Sequence, residues 1–123
     1  MISVMLLALA FFMIAVMDTV KDHWASSVFS EFDHEWWDGQ ESWKNQYFDR
    51  DSTKEKTFEG KYLPFFFDAW HSAKTIMLVC IFLAVVSYHP MVNWLVDLLI
   101  VAGTYALVFN LFYGKLLVKP SSN

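Results

Sequence analysis

Asp68, His71, Ser72 and Thr75 stand at i, i+3, i+4 and i+7, a spacing that on a helix collects them into one stripe about 100° wide. A carboxylate three residues before an imidazole lets the two side chains reach a common ion, and an imidazole exchanges its proton near neutral pH. Asp18 closes the first apolar run of the chain and Asp68 opens the second. Asp18, Asp22, Asp68 and His71 are therefore expected to converge, with His23 close by. Such a cluster suits a divalent metal ion or a proton. The simpler reading is a helix end at a membrane interface, where Asp68 and His71 satisfy Lys21, Lys74 or backbone groups. Position favours chemistry, because ionisable groups beside hydrocarbon are costly and are retained for a purpose or a partner.

Other polar positions form looser patterns. His23 and His34 share the face of a continuous helix, but eleven residues separate them by about 16 Å, too far for one ion; a solvated face accounts for both. Asn93 and Asp97 lie one turn apart, with Thr104 further along the same stripe. They suit a pore lining, a proton path or a hydrogen bond between helices. Gly103, Ala106 and Asn110 combine small and amide side chains, the residue types that let membrane helices approach closely, and read as a packing or self-association face. The chain contains no Gly-x-Ser-x-Gly turn, Gly-rich phosphate loop or His-Glu-x-x-His helix, which removes support for the usual hydrolase and nucleotide mechanisms.

The elements that must position these groups follow from composition. Of 123 residues, 56% are hydrophobic and 19% aromatic, more apolar surface than a small soluble domain can cover. Lipid is the natural cover. The net charge is -4 and the nine basic residues are scattered, leaving no electrostatic footprint for nucleic acid. The single cysteine, Cys80, lies inside an apolar run, which excludes an intramolecular disulfide and points to packing.

An all-α membrane protein with three transmembrane helices results. The first span covers residues 1–18 and has a charge-free stretch of 16 residues from Ile2 to Met17, at the short end of what the bilayer requires. No basic residue precedes it and no small-x-small site follows, so it reads as an uncleaved helix. The second span, 64–88, starts at Pro64, is polar in its first half, and stops before Pro90. The third, 91–114, carries one charge, Asp97, and ends at Gly114. Tyr88-His89-Pro90 is a tight turn between two antiparallel spans, and residues 115–123 form a tail.

Residues 19–63 make an amphipathic, Trp-rich segment. From Trp24 to Trp36, the helical period gathers Trp24, Ala25, Val28, Phe29, Phe32 and Trp36 on one side. An interfacial amphipathic helix between the first two spans is expected. Its polar face is acidic where anionic lipid would call for Lys and Arg, which favours packing on the bundle. Gly39 ends this helix, a short helical stretch capped by Ser42 sets Trp43 beside Tyr47, and the mixed charges from Asp49 to Lys61 mark a solvated loop. All nine Lys and Arg fall on, or within a few turns of, the side holding this segment and the tail. The positive-inside rule puts that side in the cytoplasm, with the N-terminus out.

The landmarks Met17-Asp18-Thr19, Trp36-Trp37-Asp38, Ser42-Trp43-Lys44-Asn45 and Asp68-Ala69-Trp70-His71, spread over roughly half of the chain, resemble a group of small multi-span membrane proteins of bacteria and their phages. That group has no established activity. The resemblance implies a bacterial inner membrane or a phage origin and no mechanism. Three functions stay open on the residues alone. One is a metal- or proton-binding site at the cytoplasmic interface, with Lys44 or Asn45 reaching in from the loop. Another is an oligomeric channel or holin-like effector. The third is an accessory subunit whose acidic, Trp-rich segment docks a larger membrane complex.

Overall fold

The structure is a computed structural model that describes residues 1–119. Among these residues every regular element is helical, and β-pairing is confined to two isolated antiparallel bridges, Ser27 with Val118 and Tyr47 with Lys56. Three helices are long and apolar enough to cross a membrane: α1 (Ile2–Asp22), α4 (Ala69–Val86) and the run Trp94–Leu117, whose first part is α5 (Trp94–Leu111). Between α1 and α4 lie two one-turn helices, α2 (His34–Trp37) and α3 (Phe58–Tyr62), set among several 3-10 turns.

The helix boundaries differ from the sequence expectation, at two helix starts because a side chain caps there. α1 runs on beyond residue 18, so that Asp18, Lys21 and Asp22 occupy its last turns and the His23 amide closes on the Thr19 carbonyl at 2.9 Å. The second long helix starts at Ala69 instead of Pro64. Pro64–Phe66 form a separate 3-10 turn, and the Asp68 carboxylate then takes the N-cap position of α4, accepting from the His71 amide. Asn93 caps α5 in the same way, accepting from the Leu95 and Val96 amides at 3.1 Å, so Met91 and Val92 belong to the connection. At the far end the helix passes through Gly114 as a π-helical stretch, Phe112–Leu117. Nothing there forces the left-handed conformation that a glycine stop requires.

The expected continuous amphipathic helix is broken into turns at Trp24–Ser26 and Val28–Glu31, followed by α2. The breaks fall at residues whose side chains compete for backbone partners. Ser27 Oγ accepts from the Phe29 amide at 3.1 Å and donates to the Trp24 carbonyl at 2.7 Å, while Asp33 accepts from the Glu35 amide at 3.1 Å. His23 and His34 therefore share no helix. The apolar side chains still turn partly inward: Phe29 is buried and stacks on Trp37, and Trp24, Trp36 and Trp37 pack on the core. Ala25, Val28 and Phe32 remain exposed.

α1 is the centre of the bundle. It packs along α4 and, less extensively, along α5, while α4 and α5 make little direct contact. The α4 seam is built from small residues, Ala69, Ala73, Cys80 and Ala84, all buried, against Ala10, Ala15, Val16, Thr19 and Val20 of α1. Spacings of four between Ala69 and Ala73 and between Cys80 and Ala84 let two backbones approach closely. Ser3 Oγ donates to the Ser87 carbonyl at 3.0 Å and fixes the far end of the pair. Against α5 the contacts are aromatic: Phe11 with Tyr105, Phe12 with Phe112, and a ladder of Tyr105, Phe109 and Tyr113.

The polar segment closes over one end of this bundle. The Gly39 amide donates to the Val20 carbonyl at 3.3 Å, and a Cβ at Gly39 would stand 3.1 Å from the Lys21 Cα. Further along, Thr57 donates its amide to the Gln46 carbonyl at 2.9 Å, and a Cβ at Gly60 would lie 2.2 Å from that same oxygen. The hairpin from Gln46 to Thr57 therefore has no room for a side chain at residue 60. Gly60→Ala is expected to destabilise the cap by about 1–3 kcal/mol through overpacking. Amide exchange at Phe48 and Thr57 should accelerate roughly ten- to a hundredfold; unchanged exchange there would contradict this packing.

Candidate functional site

Asp68 sits where α4 begins, held by backbone at the N-cap and almost completely buried, 2% exposed. One carboxylate oxygen accepts from the His71 amide at 2.6 Å, and the two oxygens lie 2.9 and 2.8 Å from His71 Nδ1. A carboxylate only accepts, so Nδ1 must carry the hydrogen, and Nε2 is left as the open ring position. The imidazole is braced by Phe67 and Trp70, with ring centroids at 4.5 and 4.8 Å. Thr75 Oγ1 donates to the His71 carbonyl at 2.9 Å and Ser72 Oγ to the Phe65 carbonyl. The predicted stripe thus divides: Asp68 and His71 form a pair, while Ser72 and Thr75 serve the backbone.

Beside this pair lies a pocket of about 220 Å³ lined by Lys21, Gly39, Ser42, Trp43, Asp68, Trp70 and His71. Three separate pieces of chain make it: the last turn of α1, the turn around Gly39–Trp43, and the start of α4. Asn45 locks the second to the third. Its amide nitrogen donates to the Glu35 carbonyl at 2.7 Å and to the Phe67 carbonyl at 2.8 Å. Asn45 thus bonds to backbone and does not line the pocket, and Lys44 pairs with Glu41 at 2.7 Å.

Asp18, Asp22 and His23 do not join the pair. Asp18 and Asp22 lie within electrostatic reach of Tyr113, and the His23 ring is 5.6 Å from the Tyr113 ring, on the side of α1 that faces α5. Among the described residues no three His, Cys, Asp or Glu side chains converge as a metal ion would require. The physical reason is the seam: Ala69 and Ala73 draw α4 onto one face of α1, and the acidic residues of the last turns of α1 project from another.

The opposite end of the bundle carries a second buried carboxylate. Asp97, 4% exposed, accepts from the Tyr88 hydroxyl at 2.7 Å and from the Met91 and Val92 amides at 3.0 and 3.3 Å. Together with Asn93 at the N-cap, it shapes the connection between α4 and α5. Thr104 donates to the Ile100 carbonyl at 2.8 Å and Asn110 to the Ala106 carbonyl at 2.6 Å, each within its own helix. Gly103, Ala106 and Asn110 are exposed, and a Cβ at Gly103 would meet nothing within 4 Å. Within one chain, the close helix packing therefore uses Ala69, Ala73, Cys80 and Ala84 and leaves Gly103, Ala106 and Asn110 outside it. The Tyr88 and Asn45 contacts had no signal in spacing, since each joins segments through a loop.

Comparison with family models, curated proteins and solved structures finds no match.

The hydrogen bond to Asp97 raises the Tyr88 hydroxyl above the usual phenol range, with burial and the charge of Asp97 adding to the shift. The sign follows directly. A raised value in the folded state means that the contact contributes fully below the ordinary tyrosine range, about 10, and is lost as pH rises through the folded value. Ultraviolet titration of the folded protein should show Tyr88 ionising late, and Asp97→Asn should bring it back toward the ordinary range. A Tyr88 that titrates identically in both proteins would refute the contact.

Proposed function

We propose that this is a small polytopic protein of a bacterial inner membrane whose working element is a proton-binding site, the Asp68–His71 pair, at the cytoplasmic interface. The observation that carries the reading is the buried Asp68 carboxylate engaging His71 Nδ1 with both oxygens. A carboxylate placed this way fixes the imidazole in one tautomer, presents Nε2 as a proton acceptor, and balances the imidazolium that forms. His71 lines the pocket and its side chain is one-third exposed at 33%, so a proton has a route to it. The pair is placed where α4 begins, which for a spanning helix is the level of the headgroups.

Proton binding is favoured over a metal site and over a pore by specific contacts. A metal ion needs donors beyond one imidazole, and both Asp68 oxygens are engaged by His71. A lumen lined by Asp97 would need its oxygens free, yet three donors of the 88–97 segment occupy them.

Nitrogen NMR of 15N-histidine-labelled protein should show His71 with its hydrogen on Nδ1, and Nε2 gaining a proton on acidification. Asp68→Asn keeps a capping oxygen for α4 but removes the charge, and it should yield mixed tautomers. A wild-type His71 bearing its hydrogen on Nε2, or a tautomer unchanged by Asp68→Asn, sinks the reading.

The orientation rests on the nine basic residues, which gather toward the side of the cap and the tail. Cys80 is buried at 5% exposure, so introduced cysteines report against a quiet background. In intact cells a membrane-impermeant maleimide should label His89→Cys and leave Glu55→Cys untouched until the membrane is opened. The reverse pattern would invert the topology.

A further inference from the structure

The one-turn helix α3 is inside out by the standard of a soluble protein. Its glycine, Gly60, is buried against the Gln46 carbonyl, while Phe58 and Tyr62, 65 and 66% exposed, share the other side at i and i+4 with ring centroids 5.2 Å apart. Leu63 leads from α3 into the Pro64–Phe66 turn, where Phe66 is 62% exposed and its ring lies 4.3 Å from that of Phe65. A run of exposed aromatic rings marks a surface that is covered in use.

The neighbours of the turn indicate what covers it. Ser72 Oγ donates to the Phe65 carbonyl and ties the turn to the beginning of α4. Phe65 and Phe66 then share a shallow cavity of about 280 Å³ with Ser72, Thr75 and Ile76 of that helix. From Ile76 the exposed apolar surface continues along α4 through Val79, Leu83 and Val86, outside the seam that meets α1. The aromatic patch is thus continuous with the surface that α4, as a spanning helix, shows to lipid.

Length fixes the depth. The 18 residues of α4 rise about 27 Å, against a hydrocarbon layer of about 30 Å. A helix with no residue to spare crosses only with its first turns at the hydrocarbon edge, and Phe65 and Phe66 stand beside those turns. We propose that α3 and the Pro64–Phe66 turn form a foot that rests in the phospholipid interface, with the rings of Phe58, Tyr62 and Phe66 in lipid. The proposal rests on the reading above that the chain is a polytopic membrane protein. Glu59 and Lys61, exposed on either side of the aromatic pair, stand at the level of the headgroups, and aromatic side chains at that level are the usual anchors of membrane proteins.

The test attaches single nitroxide labels to the full chain in nanodiscs of phosphatidylethanolamine and phosphatidylglycerol. Each label is read by its collisions with oxygen, which concentrates in lipid, and with a water-soluble nickel chelate. Phe58→Cys, Tyr62→Cys and Phe66→Cys should all meet oxygen more often than nickel, as should Leu83→Cys on α4. Ser52→Cys, exposed in the hairpin, should show the reverse. Three sites keep one misfolded variant from deciding the outcome, and a lipid-like ratio at fewer than two of them overturns the proposal. Labels shielded from both reagents would mean that a second copy or another protein covers the patch, which also overturns it. Leu83 in lipid with the three aromatic sites in water discards the foot and keeps the spanning helix, whereas Leu83 in water discards both.

Discussion

Everything at the candidate site depends on how closely α4 can lie against α1. Apolar burial gives little preference between two helices in lipid, whose tails are as apolar as leucine, so association rests on packing and hydrogen bonds. Ala69, Ala73, Cys80 and Ala84 provide a seam without bulk, and Ala10, Ala15 and Thr19 of α1 answer it, the first two and Thr19 fully buried at 0% exposure. Thr19 donates its hydroxyl to the Ala15 carbonyl at 2.7 Å, so even the polar member of the seam presents mainly its methyl group. A larger side chain at Ala69 or Ala73 would separate the helices where Asp68 and His71 share a pocket with Lys21. The large apolar residues Phe82, Val85, Val86, Leu99 and Leu107 are exposed instead, as lipid-facing positions would be.

The cap is held by a different kind of contact. It is a succession of single hydrogen-bonded turns instead of a long helix, so the way the turns are assembled comes from side chains that bond to backbone and from glycines that permit close approach. Asn45 joins the residue-35 and residue-67 strands of chain with one amide group. Gly39 lets the turn touch the end of α1. Arg50, in a left-handed conformation with φ of 57°, reaches back to Glu35 and Glu41. At the other edge, the Lys119 amide donates to the Ser26 carbonyl at 2.7 Å and its ammonium pairs with Glu31 at 3.0 Å, which stitches the end of the third long helix to the same cap. These contacts are local and directional, and together they fix the outer wall of the pocket against the bundle.

That pattern explains what could be read from the sequence. Three long apolar helices were legible because hydropathy over 18 or more residues is a strong, local signal. The Asp68–His71 contact was legible because i, i+3 spacing on a helix is also local. The convergence of Asp18 and Asp22 with that pair was not, since it depends on the rotation of α1 about its axis, which the seam sets. The helical period from Trp24 to Trp36 was real in composition, but Ser27 and Asp33 offered the backbone nearer partners than the next helical turn. The stripe Ala69, Ala73, Cys80 and Ala84 carried the packing signal in plain view. It was hidden by the polar residues interleaved with its first half, whereas Gly103, Ala106 and Asn110 stood out on a cleaner helix.

Two buried aspartates at opposite ends of the bundle, Asp68 and Asp97, are satisfied in different ways. Both stand near the start of a long helix; Asp68 accepts an amide of its own helix, which the positive end of a helix favours, whereas Asp97 accepts amides of the preceding connection. Asp97 completes its set with Tyr88, a phenol whose oxygen closes the contact, and its partners all lie within one loop. That arrangement ends in a shaped turn. Asp68 completes its set with an imidazole, and an imidazole that donates from one nitrogen necessarily presents the other. The Asp97 carboxylate is therefore consumed by structure, while Asp68 is engaged by His71, which lines a pocket. A buried carboxylate near a helix start thus shapes a turn in one place and orients an imidazole in the other because of the residue that meets it.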